Sequence, residues 1–397
     1  MPVKPQITPW LDDLTLLRRD LHAHPELGFE ETRTSEIVAR SLTDWGIEVT
    51  RGIGGTGVVG TLANGPSNAS GIGLRADMDA LAMPELETER AYRSTIPGKM
   101  HACGHDGHTV MLLAAARYLA ETRRFSGTVH FIFQPAEEGR GGAQAMVDDG
   151  LLDRFPMRAV YGLHNMPGLD TDQIAVVTGP QLASSDTWRV VLRGEGTHGA
   201  KPHLGRDPVT AAGHFLTMLH TIVARRVDPL QPAVVSACSV EAGDPNAANV
   251  IPGTVTIQGT ARAYSATVRD MLEHEIGQLA LGIAATTGMT ADYTFIRRIA
   301  PVINDAGVTS RAIRAAAAVV GEAGVVREFP PSTAGDDFSV FSSAIPGSYV
   351  WLGNGPAREG ALHHNGRYDF NDTAIATGAS YWAELVEQEL NGPLSTA

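Results

Sequence analysis

Met100-His101-Ala102-Cys103-Gly104-His105-Asp106-Gly107-His108 crowds imidazole, thiol and carboxyl groups, the usual donors to transition metals, into nine residues. Gly104 and Gly107 let the backbone turn tightly enough for alternate side chains to converge. The run Val110 to Ala120 that follows is almost wholly apolar, which predicts a helix buried on most of its surface and opening just after the loop. With one Cys, the spacing resembles none of the closed structural zinc motifs. The stretch therefore reads as a metal-binding loop on a rigid helical base.

Working outward, short apolar runs of strand length each deliver polar residues at their ends. Ile72–Ala76 leads into Asp77-Met78-Asp79, and Thr128–Phe133 into Gln134-Pro135-Ala136-Glu137-Glu138. Ala159–Leu163 leads into His164, and Tyr349–Leu352 is followed shortly by His363-His364. Open α/β sheets place their sites at such C-terminal strand ends. A further strand is expected at Gly57–Leu62, with helices at Ile7–His24 and about Glu30–Trp45. The alternation predicts an α/β domain on a doubly wound mixed sheet, most of it parallel.

Between 184 and 297 the order changes. Strand Thr187–Arg193, a helix from Asp207, strands Ala233–Glu241 and Thr254–Tyr264, helix Thr267–Ala285 and strand Ala291–Ile296 give βαββαβ, a ferredoxin-like sandwich. Asp207 followed by Pro208 is a helix-start signal. The expected organisation is a discontinuous metal-binding domain, 1–183 with 298–397, interrupted by an inserted domain at 184–297.

The chain has 397 residues, 43% of them hydrophobic, enough for a substantial core. Its formal charge of −13 argues against nucleic acid and anionic membrane surfaces as partners. Cys103 and Cys238 are too few for a disulfide framework and fit a reducing compartment. No run approaches 18 apolar residues, and Met1–Arg19 lacks a secretory pattern, so a cytoplasmic protein is expected.

The strand-end residues are Asp77, Asp79, Cys103, His105, Glu137, Glu138, His164 and His363. One ion needs three or four protein ligands, so the surplus points to two divalent metals sharing a water and hence to hydrolysis. Adjacent Glu137 and Glu138 on an extended segment would point opposite ways, one ligating while the other serves as general base. In the inserted domain, His198 and Asn249 could donate to a developing oxyanion, and Arg262 could grip a carboxylate.

At these motifs the chain resembles the metal-dependent amidohydrolases and carboxypeptidases that include hippurate hydrolases, N-acyl-amino-acid amidohydrolases and auxin-conjugate hydrolases. The shared stretches run from Arg18-Arg19-Asp20-Leu21-His22 through Leu74–Leu81, Met100–His108, Gln134–Gly139, Gly162-Leu163-His164 and Asn249-Val250-Ile251-Pro252 to Leu362-His363-His364. The resemblance implies Cys103, His105, Glu138, His164 and His363 as ligands of two ions, zinc first, with manganese, cobalt or nickel as alternatives. It further implies Glu137 as base, Asp79 as the residue orienting a ligand, and His198, often from a dimer partner in relatives, on the oxyanion. Asn249 and Arg262 would hold the substrate's carboxylate. His364, beside His363, offers the same chemistry one residue on. The implied reaction is cleavage of an N-acyl-L-amino acid by water activated at the metals, in a homodimer whose inserted domain acts as lid and dimerisation element; a dipeptidase or carboxypeptidase is the alternative.

Overall fold

A computed structural model describes residues 3–65, 71–357 and 361–391. The chain divides into two compact units, one formed by 1–179, 303–330 and 337–397, the other by 180–302 and 331–336.

The first unit is built on a mixed sheet. Its strands are β1 (Glu48–Ile53), β2 (Gly57–Asn64), β3 (Gly71–Asp77), β4 (Gly127–Gln134), β5 (Met157–Met166) and β6 (Ile174–Ala175). The chain's return to this unit supplies the remaining two strands, Val325–Val326 and Gly347–Gly353. Across the sheet the order is β1-β2-β4-β3-β5, then Gly347–Gly353, β6 and Val325–Val326. β3 is buried at every residue and pairs in parallel with β4 and β5, the environment that selects a continuous apolar run. The sheet is mixed, with its central pairs parallel. β1, β2 and β4 pair antiparallel, and so do Gly347–Gly353 and β6. β1 was not expected from the sequence, because as an edge strand it is mostly exposed and carries polar residues.

The longer helices in the first part of this unit are α1 (Leu11–Ala23), α2 (Thr32–Asp44) and α3 (His105–Thr122). In α3, Val110–Ala116 and Leu119 are wholly buried, which accounts for the apolar run without a polar face. Because β4, β3, β5 and Gly347–Gly353 run in parallel and nearly in register, Asp77 opposite Gln134 and His164 opposite Trp351, their C-terminal loops gather at one end of the sheet.

In the second unit the elements are β7 (Ser185–Arg193), α4 (Pro208–Arg225), β8 (Ala233–Ala242), β9 (Thr254–Ala263), α5 (Ala266–Thr286) and β10 (Thr290–Ile299). The strands form an antiparallel sheet in the order β8-β9-β7-β10. Asp207 caps α4 by accepting from the Val209 and Thr210 amides, and Trp188, Phe215, Ile257 and Ile276 lie in the core. This unit also takes in 331–336, where Ser332 exchanges backbone hydrogen bonds with Gln181 and Ala183. That second crossing rests on backbone pairing and leaves no periodicity in the sequence. No helix among the described residues is long and apolar enough to cross a membrane.

Candidate metal centre

The ligand loop enters α3 through Gly104, whose φ of +94° lies in the left-handed region. A Cβ there would collide with Asn165 Nδ2 and Tyr368 Oη, so glycine is required for both conformation and space. The turn leaves Cys103 in the loop and puts His105 on the first helical residue. Potential ligand atoms of Cys103, His105 and His164 then lie within 4.8 Å of one another.

Both imidazoles are oriented by what their other nitrogen does. His164 Nδ1 donates to the Asn165 carbonyl at 2.7 Å, which turns its Nε2 lone pair toward Cys103 Sγ, 3.3 Å away. His105 Nδ1 faces Asp79 Oδ1 at 3.3 Å, and its buried Nε2 makes no hydrogen bond among the described residues. A carboxylate or carbonyl fixing one nitrogen so that the other points inward is the usual arrangement around a ligating histidine.

Three further groups overlap this one: Asp77 with His105 and His108, His105 with Glu137 and Glu138, and Cys103 with Glu138 and His364. Donor sets linked through Cys103, His105 and Glu138 fit a pair of divalent ions. Electrostatics agrees. Burial opposes charge on His105, yet Asp77, Asp79 and Glu138 outweigh it and push its pKa up to about 10, the mark of an excess of negative charge that cations would neutralise. Burial, then His108 and His363, holds His164 well below the usual range, so it is neutral and its lone pair is available.

Glu137 and Glu138 do not diverge as on an extended strand. The segment is a turn: Ala136 has φ +53°, and the Gly139 amide bonds back to the Glu137 carbonyl at 2.6 Å. Three backbone N–H groups in succession are held by buried carboxylates. Ala136 donates to Glu31 Oε1 at 2.8 Å, Glu137 to Asp79 Oδ1 at 3.1 Å and Glu138 to Asp79 Oδ2 at 3.0 Å. Both side chains consequently reach the same space beside His105.

The structure brings His364, and not His363, into the cluster. His364 Nε2 lies 3.0 Å from Glu138 Oε1, whereas His363 Nε2 donates to Asn165 Oδ1 at 3.0 Å and joins none of the donor groups. The sequence offered two adjacent histidines; a φ of +59° at His364 turns the second one inward. Asp77 stands behind the ligands, its charge taken up by Arg75 at 2.6 Å and His108 Nδ1 at 2.6 Å.

In the second unit, Thr197-His198 pairs with Val250-Ile251, with His198 opposite Val250 and next to Asn249, whose carbonyl accepts from Gly199. Arg262 lies eight residues along β9 from Thr254, roughly 26 Å at about 3.3 Å per residue. Sequence reading passed over Glu31 and Asn165, and gave His108 no role beyond its place in the ligand loop. The only signal for them was their polarity within otherwise apolar or glycine-rich motifs.

Residues 73–388 match the profile of peptidase family M20/M25/M40. The chain belongs to peptidase family M20/M25/M40. Among curated relatives of this M20 enzyme, hippurate hydrolase of Campylobacter jejuni is 40% identical over 387 residues, covering 97% of this chain and 98% of that one. N-acetylcysteine deacetylase of Bacillus subtilis is 37% identical over 371 residues, covering 93% and 94%. The crystal structure of the Bacillus subtilis YXEP protein, a dinuclear metal binding peptidase from the M20 family, superposes with a TM-score of 0.84 at 33% identity, covering 96% and 99%. The chain is thus an M20 metallo-amidohydrolase with a donor set suited to two divalent ions.

Proposed function

We propose that this enzyme cleaves the amide bond of N-acyl-L-amino acids, releasing a carboxylic acid and the free amino acid. The observation that carries the reading is the turn at Glu137-Glu138, which sets a carboxylate base within reach of the same donors that would hold metal. The names of the two relatives, which act on hippurate and N-acetylcysteine, support the substrate class.

Cys103, His105, Glu138, His164 and His364 would hold the ions. When bound, two divalent ions polarise the scissile carbonyl and bring the pKa of bound water toward neutrality. Zinc suits the mixed thiolate, imidazole and carboxylate set; manganese, cobalt and nickel are the alternatives. Glu137 takes the proton from the attacking water and delivers it to the leaving amine, a contribution of roughly 10² to 10⁴ in rate. Asp79 keeps Glu137, Glu138 and His105 in register through their amides and ring.

The inserted unit serves as a ferredoxin-like lid, with His198 on the oxyanion and Asn249 and Arg262 on the substrate's carboxylate end. A small substrate cannot reach both ends of β9. His198 and Asn249 therefore come from one copy and Arg262 from the other, in a homodimer. A reduced Cys103 fits a cytoplasmic setting.

The test is parallel turnover of hippurate, N-acetyl amino acids and dipeptides by enzyme reconstituted with zinc or manganese. Preference for the acylated amino acids supports the reading. Preference for dipeptides would move it to a dipeptidase or carboxypeptidase on the same site.

A further inference from the structure

The side chain of Asn165 makes four hydrogen bonds at this site. Its side-chain amide donates to the Cys103 carbonyl at 2.6 Å and to His108 Nε2 at 3.0 Å, while its Oδ1 accepts from Tyr368 Oη at 2.8 Å and His363 Nε2 at 3.0 Å. The network fixes every polarity. His108 Nδ1 donates to Asp77, so its Nε2 accepts, also from the Asn165 backbone amide at 3.0 Å. Asn165 must then point its NH₂ at His108 and Cys103, and its oxygen at His363 and Tyr368.

We propose that His363 is a latch rather than a ligand: the His363–Asn165 hydrogen bond fastens the loop carrying His364 to the loop carrying Cys103, and so sets where His364 stands over Glu138. The loop is pinned at successive points. His363 is held by its ring, His364 by its amide on the Ala102 carbonyl at 2.8 Å, Gly366 by its carbonyl accepting from Leu86 at 2.7 Å, and Tyr368 by its hydroxyl on Asn165. Gly104 completes the fit, since any Cβ there would displace Asn165 and Tyr368 together. A histidine at φ +59° resists the turn that His364 makes, so anchors on both sides of it are what keep the loop in place. The ring of His363 also packs edge-on against His164, with centroids 5.0 Å apart, which ties the latch to a second proposed ligand.

This inference rests on reading His364 as a ligand of two ions, and the experiment separates the two. Zinc and manganese are titrated calorimetrically into the full-length apo protein, with the spectrum of the cobalt-loaded protein as a second readout. Wild type binding fewer than two equivalents would overturn the two-ion reading itself. Given two equivalents, His364→Ala is expected to lose one. His363→Ala keeps both but binds the weaker ion about tenfold less tightly with an altered cobalt spectrum, the scale of loss typical of groups that orient ligands. His363→Gln, which retains a donor, is expected to restore much of that affinity. Asn165→Ala removes this bond along with its others, so adding His363→Ala to it is expected to cause no further loss. Loss of a whole equivalent in His363→Gln would make His363 a ligand. Unchanged affinity in His363→Ala, or additive losses in the double variant, would show that the bond does not position the loop.

Discussion

Asp79 Oδ1 lies 3.3 Å from His105 Nδ1, and the same carboxylate receives the amides of both Glu137 and Glu138. One buried side chain thereby sets a candidate ligand, a second ligand and the proposed base relative to each other. Asp79→Asn keeps the shape but replaces one acceptor oxygen with a donor facing N–H groups. Metal affinity is expected to fall by about 10- to 100-fold, measured by titration of the apo protein, and to fall further than turnover at saturating metal.

Glu137→Gln should retain two metal equivalents while kcat drops by roughly 10² to 10⁴. Metal analysis beside steady-state kinetics on an acylated amino acid checks this. Turnover within a few fold of wild type would remove Glu137 as the base.

Chelation should lower the midpoint of thermal unfolding, since the clustered carboxylates repel one another without cations between them. At a free ion concentration a hundred times Kd, each bound ion contributes about 2.7 kcal/mol. Scanning calorimetry with and without chelator measures the shift. An unchanged midpoint would contradict the site.

Away from the ligands, buried His22 carries a pH dependence. Burial works against its charge, but hydrogen bonds to Asp106 at 2.8 Å and Glu85 at 3.3 Å prevail and push its pKa up to about 9. A pKa raised above the unfolded value of about 6.5 gives stabilisation that is complete below pH 6.5 and lost as pH rises through 9. The size is about 3 kcal/mol for a shift of this order. Denaturant titrations of wild type and His22→Gln should differ most near pH 6 and converge by about pH 10. A difference that grows with pH would refute the assignment.

What the sequence determined by itself was local. The apolar runs of β3, β4 and α3 are legible because burial on every side demands them, and Asp207-Pro208 because a cap is a matter of adjacent residues. The motif residues Cys103, His105, Glu138 and His164 could be gathered because each shortly precedes, follows or closes such a run. Only the tertiary structure decided which way neighbours face. The choice of His364 over His363 depends on one backbone φ and on Asn165 more than 190 residues away in sequence, and the convergence of Glu137 with Glu138 on a turn held by Glu31 and Asp79. Periodicity records burial, which each residue carries in its own chemistry; a hydrogen bond between distant loops exists only once the sheet has brought their ends together.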